Sequence, residues 1–255
     1  MKPLYCLAAL AFVAQPVYAG SWYEKKAKGA LLYDTYKKAG VPEQAVQRTF
    51  EFLDINEEKE FKVRAADRLV SKEITNKNYA IVIDFSKPSS ERRLYLLNLK
   101  TGDVEKYYVA HGVNTGDDEA EKFSNTPDSK KSSLGLYLTG SPYVGKHGES
   151  LYLYGLEKSN DRAFERSIVM HGASYVSTDF LDKYGRMGRS WGCPAVSQAI
   201  IKKLIPIIKD GAVVYAYHKD LMPMTQTSPT VQNVSNNKTK TSNNSEDIVP
   251  EEIDP

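Results

Sequence analysis

Two side chains in this 255-residue sequence have the types needed for nucleophilic catalysis, a thiol and an imidazole, and each lies next to a glycine. Cys193 follows Gly192, and His171 is followed by Gly172. An imidazole within reach of a thiol can take its proton and later protonate a leaving amine. Gly192 lets the backbone turn tightly enough to aim N–H groups at one point, which an oxyanion hole requires. The sequence therefore predicts acyl-transfer chemistry, with Cys193 as nucleophile and His171 as base.

The patterns on either side of these residues indicate how they are positioned. Residues 168–171 are predicted to form a buried strand that ends at His171. Ser197 is a good N-cap for a helix over 197–209, and Pro206 is expected to kink or shorten the last turn of that helix. A thiol close to a helix N-terminus experiences partial positive charge. We therefore expect this helix to favour the thiolate form of Cys193.

The first nineteen residues have the features of a secretory signal peptide. Lys2 precedes an apolar run over 4–13, and Val17-Tyr18-Ala19 places small residues at a cleavage site. The run is shorter than the roughly 20 residues that a bilayer-spanning helix needs. We predict cleavage after Ala19, export to the periplasm or cell envelope, and no membrane span in the mature chain. A retained N-terminal anchor is the alternative.

Cysteine usage bears on the role of Cys193. The sequence has two cysteines, and Cys6 is lost with the predicted signal peptide. Exported proteins that use cysteine for stability carry even numbers, because the oxidising compartment pairs the thiols. A single exported thiol is either a buried structural side chain or a reactive one. The residues around Cys193 favour the reactive thiol.

Periodicity divides the mature chain into a helical part and a strand-rich part. Residues 22–39 and 42–55 are predicted helices, and a weak helical pattern continues over 61–66. Strands are predicted at 80–85, 94–99, 104–111, 136–139, 151–154, 168–171 and 212–218, with a turn at 100–103. We therefore predict a helical N-terminal extension at 20–77 and a mainly β domain at 78–219, with the one helix that follows Cys193.

The composition of the remaining segment and the net charge bear on partners. The chain after Met222 is rich in Ser, Thr, Asn and Gln and then becomes acidic, which predicts a disordered acidic tail over 223–255. The formal net charge of +2 is far from that of a nucleic-acid-binding protein. No nucleic-acid partner is predicted.

The residues around Cys193 resemble the signature of the L,D-transpeptidase (YkuD-like) catalytic domain family. That signature is a histidine, a spacer, and then Ser/Thr-His-Gly-Cys-hydrophobic-Asn. His171, Ser190, Gly192 and Cys193 match its base histidine, Ser/Thr, glycine and nucleophile. Because the histidine precedes the cysteine, the order argues against papain-like and NlpC/P60-like peptidases, which have the reverse order.

This chain also departs from the signature at three points. Trp191 stands where the second histidine is usual, Ala195 replaces the asparagine, and the spacer is slightly long. The resulting Arg-Ser-Trp-Gly-Cys-Pro-Ala sequence is similar to a divergent murein L,D-transpeptidase branch. Further blocks similar to that branch lie at 111–114, 123–125, 132–135, 146–148 and 160–163.

The resemblance implies a β-sandwich-like mixed sheet with the catalytic loop on its surface, and acyl transfer on peptidoglycan stem peptides. Cys193 would attack the carbonyl of the L-centre of the third stem residue, usually meso-diaminopimelate. Backbone N–H groups around Trp191, Gly192 and Cys193 would hold the oxyanion, and a carbonyl near Gly172 would orient His171. The donor would release D-alanine, and an amine acceptor would give a 3–3 cross-link or an exchange product. No cofactor is implied.

Other polar residues near the motif carry weaker predictions. Ser190 and Arg189 are predicted to bind substrate, although Arg189 and Arg166 could equally pair with a local acid. His111 and His147 either line the cleft or are satisfied loop histidines. The histidines and Cys193 lack metal-ligand spacing, so no metal is predicted.

Three alternatives to a transpeptidase remain at this stage. Water in place of the amine would make the protein an L,D-carboxypeptidase. The replacements at Trp191 and Ala195 are the basis for a non-catalytic cell-wall-binding module. A structural envelope protein that uses its tail to bind a partner would leave the single cysteine unexplained.

Overall fold

The computed structural model describes residues 21–65 and 68–220 of the chain. The predicted signal peptide, with Cys6, and the predicted acidic tail lie outside these residues and stay predictions from the sequence. Among the helices that are described, none has both the length and the apolar character needed to cross a membrane.

The N-terminal part contains two helices and two small hairpins. Strands β1 (Lys26–Ala27) and β2 (Ala30–Leu31) pair antiparallel and lead into α1 (Leu32–Lys38) and α2 (Glu43–Asn56). A second hairpin follows, in which β3 (Glu60–Ala65) pairs antiparallel with β4 (Arg68–Glu73). The helix predicted at 42–55 is confirmed by α2.

Two of the helical predictions in this part are wrong. The helix expected over 22–39 is reduced to α1, because Lys28 and Gly29 have φ values of 51° and 82° and turn the chain into the first hairpin. The weak helical pattern expected to continue over 61–66 gives way to β3. Phe61 and Val63 are buried there while their neighbours are exposed, which is the period of a strand.

One mixed sheet of eight strands forms the rest of the fold. Its members in chain order are β5 (Tyr79–Asp84), β6 (Leu94–Asn98), β7 (Val104–Tyr107), β8 (Gly135–Gly145), β9 (Gly148–Gly155), β10 (Val169–Gly172), β11 (Ala195–Val196) and β12 (Val213–Tyr217). Their spatial order is β11-β10-β9-β8-β12-β5-β6-β7. The β10–β11 and β12–β5 pairs are parallel, and the others are antiparallel. The predicted mainly β fold with a mixed sheet is confirmed.

The two outer strands of the sheet are brought together by the segment that follows β7. Ala110 forms an antiparallel bridge with Ala195 of β11, and Gly112 forms a parallel bridge with Ser190. The backbone N–H of Ala110 donates to the Ala195 carbonyl over 2.8 Å. The chain around residues 110–113 therefore lies along the open side of β11, directly beside the loop that carries Cys193.

Two helices, α3 (Thr178–Tyr184) and α4 (Gln198–Ile208), flank the Cys193 loop in sequence. The predicted helix after Cys193 is confirmed by α4, and the Ser197 hydroxyl accepts the N–H of Ile200 at its N-cap. Pro206 lies inside the last turn, and the helix ends at Ile208. Helix α3 was not predicted from the sequence.

Side chains on the two faces of the sheet enter two separate apolar clusters. Ala80 and Val82 of β5 pack with the N-terminal elements, and the alternate residues Ile81 and Ile83 pack in the second cluster with α4. The first, here called the N-terminal cluster, also contains Trp22, Tyr36, Val46, Phe50 and Leu53. The N-terminal extension therefore shares a hydrophobic core with the sheet. The domain boundary at residue 78 stays a prediction.

Candidate active site

Four neighbouring strands place polar residues in one row across the sheet. Tyr143 of β8 lies opposite Ser150 of β9, Ser150 opposite His171 of β10, and His171 opposite Ala195 of β11. Residues directly opposite one another point to the same face, whereas the next residue along a strand points to the other face. Gly172 therefore points away from this row, toward α4. The side chains of the row lie on the face of the sheet opposite α4.

The close approach of α4 explains why residue 172 is a glycine. A Cβ placed there would lie 2.6 Å from Ile201 Cγ2 and 2.5 Å from Gln198 Oε1. The packing of α4 against this point of β10 fixes the strand, and with it the direction of the His171 side chain.

The His171 ring is held by the backbone carbonyl of the next residue. Nδ1 lies 3.1 Å from Gly172 O. A carbonyl only accepts hydrogen bonds, so Nδ1 carries the ring proton and Nε2 keeps its lone pair. Burial, and to a lesser degree the neighbouring His147, lower the pKa of His171 to about 4. The imidazole is therefore neutral near pH 7, in the tautomer that a general base needs.

The Cys193 thiol lies at the beginning of β10 and is also buried. Its Sγ accepts the N–H of Val169 and donates to the Ser167 carbonyl, with both distances 3.5 Å. Burial raises the pKa of the Cys193 thiol to about 11, while the Val169 N–H and the Arg166 charge act in the opposite direction. Near pH 7 the resting side chain is a protonated thiol.

The thiol and the imidazole lie on neighbouring segments of the sheet. Val169, which contacts Sγ, is two residues before His171 on β10, and Ala195, which lies opposite His171, is two residues after Cys193. The thiol proton nevertheless points to Ser167 and not to His171. The thiol must rotate before the proton can move to the imidazole.

The expectation that the helix after Cys193 favours the thiolate is wrong. Strand β11 separates Cys193 from α4, and the hydrogen-bond partners of Sγ lie at the start of β10. Burial dominates, and it raises the thiol pKa instead of lowering it.

Ser190 and Gly192 hold the loop around Cys193 in shape. The Ser190 hydroxyl accepts the Gly192 N–H over 3.1 Å and donates to the Cys193 carbonyl over 2.6 Å. Ser190 is buried, so its position fits a role within the loop and not the predicted contact with substrate. Gly192 has φ of 125°, and a Cβ there would lie 2.8 Å from Lys131 O. Only glycine fits this turn.

Two of the three backbone N–H groups expected to hold an oxyanion are available. Gly192 N–H is already bonded to Ser190, so it cannot serve without a rearrangement. Within the described ranges, the backbone N–H groups of Trp191 and Cys193 donate to no protein acceptor. The Trp191 ring is half-buried, and Lys130 Nζ lies 4.0 Å from its centroid.

Arg189 is paired with a local acid. Its Nη1 lies 3.0 Å from Asp117 Oδ1 and donates to the Gly116 carbonyl over 3.2 Å. Asp117 also contacts Arg186 Nε at 2.8 Å. Of the two alternatives that the sequence left open for Arg189, this geometry favours the local ion pair.

The remaining histidines occupy different places. His147, at the β8–β9 turn, stacks on His171 with ring centroids 4.4 Å apart, so it lies at the site. His111 is fully buried, with Nδ1 2.7 Å from Arg93 Nη2. Burial lowers the pKa of His111 to about 3. In the part of the chain that the structure describes, no three His, Cys, Asp or Glu side chains come together as metal ligands would.

Sequence reasoning missed several groups that surround Cys193. Ser132 donates from Oγ to Gly192 O over 3.1 Å. Ser167 contributes a carbonyl, and its φ of 52° is needed to aim that carbonyl at the thiol. Tyr143 lies in electrostatic range of Cys193, and burial raises its pKa to about 12. Serines and tyrosines are common, so no local pattern marks these positions as part of a site.

A comparison with protein families identifies the class of this chain. Residues 56–217 match the family model described as L,D-transpeptidase catalytic domain. This match covers more than half of the sequence, and the chain belongs to that family. The more specific resemblance to a branch with the Arg-Ser-Trp-Gly-Cys-Pro-Ala motif stays a prediction.

Solved structures with some similarity include members of the same family. A point mutant of the helical cell shape determining protein Pgp2 from Campylobacter jejuni matches at 13% identity with a TM-score of 0.36. The match covers 71% of this chain and 58% of that chain. An L,D-transpeptidase from Xylanimonas cellulosilytica matches at 18% identity over 57% of this chain and 63% of that chain, with a TM-score of 0.34. An L,D-transpeptidase from Mycobacterium smegmatis matches at 11% identity over 60% of this chain and 64% of that chain, with a TM-score of 0.35. This chain thus spans less than two thirds of each of them. At these values the family assignment rests on the family model. Comparison with curated proteins gives no match.

Proposed function

We propose that this protein is a peptidoglycan L,D-transpeptidase, with Cys193 as nucleophile and His171 as general base and acid. The observation that carries the proposal is the hydrogen bond from His171 Nδ1 to Gly172 O at 3.1 Å. It leaves the Nε2 lone pair of a neutral imidazole on β10, and Val169 of the same strand donates its N–H to Sγ of the only described cysteine. Membership of the L,D-transpeptidase catalytic domain family supports the same chemistry.

The proposed reaction begins with rotation of the thiol away from the Ser167 carbonyl. His171 Nε2 takes the thiol proton as sulfur attacks the carbonyl of the third stem residue. The N–H groups of Trp191 and Cys193 stabilise the oxyanion. His171 then gives its proton to the departing D-alanine amine, and a thioester remains on Cys193.

An acceptor amine completes the turnover. His171 takes a proton from that amine as it attacks the thioester, and the thiol is regenerated when the proton returns to sulfur. The products are a 3–3 cross-link when the amine belongs to a second stem, or an exchange product when it is a free D-amino acid. Stem peptides are therefore the proposed donor and acceptor partners. No cofactor takes part.

Export belongs to the same proposal, because the substrate lies outside the cytoplasmic membrane. It is supported by the pattern of residues 1–19 in the sequence, with Lys2, the apolar run and Ala19. Cell fractionation with the authentic N-terminus determined by mass spectrometry tests it. Cleavage after Ala19 is the expected result, and an uncleaved cytoplasmic protein would contradict it.

The test of the activity is incubation of the purified protein with disaccharide tetrapeptides, followed by mass spectrometry of the products. Loss of D-alanine together with 3–3 linked dimers is expected from the wild type and not from Cys193→Ala. Tripeptides without dimers would identify an L,D-carboxypeptidase. Unchanged tetrapeptides with retained binding to cell-wall material would identify a non-catalytic module.

A further inference from the structure

Arg166 lies directly beneath the Cys193 loop and is bonded to neutral groups. Its Nη1 donates to the Ser124 carbonyl over 2.8 Å and to the Ser133 hydroxyl. Its Nη2 donates to the Lys131 carbonyl and to the Ser129 hydroxyl, the latter over 3.3 Å. The guanidinium therefore connects four residues of the segment 124–133 to the turn that precedes β10.

No carboxylate among the described residues pairs with this guanidinium. Its Nε is buried and has no hydrogen-bond acceptor in the same part of the chain. Arg162, one turn earlier, shows the usual arrangement, because it is exposed and binds Glu165 through two nitrogens at 2.9 and 2.8 Å. Charges removed from water are normally paired. Arg166 is a half-buried cation for which the described residues supply no counter-charge.

Two groups that can become anions act on the guanidinium, the Tyr137 phenol and the Cys193 thiol. A Cβ on Gly192 would lie 3.3 Å from Arg166 Nη2, so the guanidinium packs against the residue before Cys193. The carbonyl that accepts the thiol hydrogen belongs to Ser167, the residue after Arg166. The loop 190–196 contains no cation of its own.

We propose that Arg166 is a positioning residue that supplies the counter-charge for the Cys193 thiolate. When His171 takes the thiol proton, sulfur becomes negative within range of a cation that pairs with no carboxylate of the described residues. No bond to Arg166 forms or breaks, and its protons stay in place. This inference rests on the proposed nucleophile, but its content is the acidity of the thiol, which can be measured without substrate.

Tyr143, Tyr137 and His171 lie around the pair and are neutral near pH 7. Tyr143 of β8 faces the thiol, with its pKa raised to about 12, and His171 of β10 has a pKa lowered to about 4. Tyr137 of β8 faces the guanidinium, and burial raises its pKa while its hydroxyl donates to Ser133 O over 2.9 Å. His147 stacks on His171 from the β8–β9 turn. Among these groups Arg166 contributes the positive charge that acts on the thiol.

The test is alkylation of the full chain by iodoacetamide from about pH 7 to about pH 11, with the modified Cys193 peptide quantified by mass spectrometry. Arg166→Gln is expected to raise the thiol pKa by about one unit and to slow alkylation about tenfold at a fixed pH below that pKa. Arg166→Lys keeps the charge and is expected to stay within about threefold of the wild type. Arg162→Gln is the matched control and should leave the profile unchanged.

The alternative is that Arg166 only holds the segment 124–133 in place. A lower melting temperature for Arg166→Gln with an unchanged alkylation profile would establish that alternative and overturn the proposal. Should the Gln variant not fold, Arg166→Lys decides, because a rise in thiol pKa of a full unit despite the retained charge overturns the proposal. A shifted profile in a protein that makes no cross-links would leave the inference standing while the proposed function fails.

Discussion

The N-terminal cluster and the surroundings of Cys193 are both buried, but their polar groups are satisfied in opposite ways. In α2, Thr49 and Asn56 bond to the carbonyls of Ala45 and Phe52, each four residues earlier. Around Cys193 the bonds join segments far apart in sequence, such as Ser132 to Gly192, 60 residues apart. A helix satisfies its own backbone, whereas a loop needs side chains from elsewhere to hold it.

This difference separates what each region contributes. The N-terminal cluster consists of packed aromatic and aliphatic groups, such as Trp22 and Phe50 with ring centroids 6.0 Å apart, and it stabilises the fold through apolar burial. The Cys193 region uses costly buried polar groups to fix one geometry. Substitutions in the N-terminal cluster should lower the free energy of unfolding and leave the reaction rate unchanged. Substitutions around Cys193 should lower the reaction rate and leave the free energy of unfolding unchanged.

The largest expected effect is that of Cys193→Ala on turnover. Removing the thiol removes the nucleophile, so cross-link formation should fall to background while the melting temperature stays within a few degrees of the wild type. Mass spectrometry of muropeptides and differential scanning calorimetry measure the two quantities. A folded Ala variant with wild-type turnover would exclude Cys193 as nucleophile.

His171→Ala should slow acyl transfer by on the order of 10²–10⁴, because proton transfer to and from the substrate is lost. His218→Ala is a matched control, since this histidine follows β12 and packs on Phe123, away from the Cys193 loop. Initial rates and melting temperature are measured on both variants. An early-melting His171→Ala protein that still reacts at near-normal rate would identify a structural histidine instead.

Phe50→Ala should give the reverse result in the N-terminal cluster. Phe50 is fully buried in contact with four aromatic rings, and its truncation should cost about 3–5 kcal/mol of unfolding free energy. Urea unfolding gives this value, and kcat measured well below the melting temperature should be unchanged. A large fall in kcat of the folded variant would mean that the two regions are coupled.

Unfolding free energy should fall as the pH is lowered, and the Cys193 region should be responsible. The pKa values of His111 and His171 in the fold are about 3 and about 4, below the ordinary value of 6.5. Between that value and about pH 4 the unfolded chain binds protons that the fold excludes. The contribution of these two histidines to the unfolding free energy is therefore fully present above about pH 6.5. Below that pH it is lost, by up to about 1.4 kcal/mol per histidine and pH unit.

Urea titrations at about pH 7 and pH 5 measure this loss. His171→Ala should reduce the slope, whereas Phe50→Leu should lower stability equally at both values because it changes no titrating group. Identical slopes in the wild type and His171→Ala would contradict the assignment of the slope to this histidine.

The smallest effect is expected for Arg189→Gln. The ion pair with Asp117 is partly exposed, and such pairs contribute roughly 0–1 kcal/mol. KM for the tetrapeptide donor should stay within about threefold of the wild type. A tenfold rise in KM with unchanged kcat would restore the substrate-binding role that the sequence suggested.

The same contrast explains how far the sequence could predict the structure. Strands such as β5 and β10 and helices such as α2 and α4 were predicted because their burial follows a short period. The end of the predicted 22–39 helix at Lys28-Gly29 was missed. Two residues with left-handed φ values turn the chain there, although the apolar pattern continues past them. Cys193 and His171 were found through their chemistry and motif.

The supporting groups at the site were not predictable in this way. Ser167 acts through its carbonyl, Arg166 through a charge that no described carboxylate pairs with, and Ser190 through two bonds inside the loop. Each depends on where distant segments meet, which no local window contains. The helix after Cys193 was predicted correctly, but its effect on the thiol was not, because β11 separates Cys193 from α4 and burial raises the thiol pKa.

The bridge from Ala110 to Ala195 has a consequence for how a peptide can reach the thiol. Many peptide-binding proteins let the ligand join a sheet as an extra strand, which selects chains of L-residues in an extended conformation. Here residues 110–113 already fill the side of β11 where such a strand would be added. The proposed stem-peptide donor would instead lie across the strands and be recognised through its side groups. Its alternating stereochemistry, which would break a strand ladder, would meet no penalty in that arrangement.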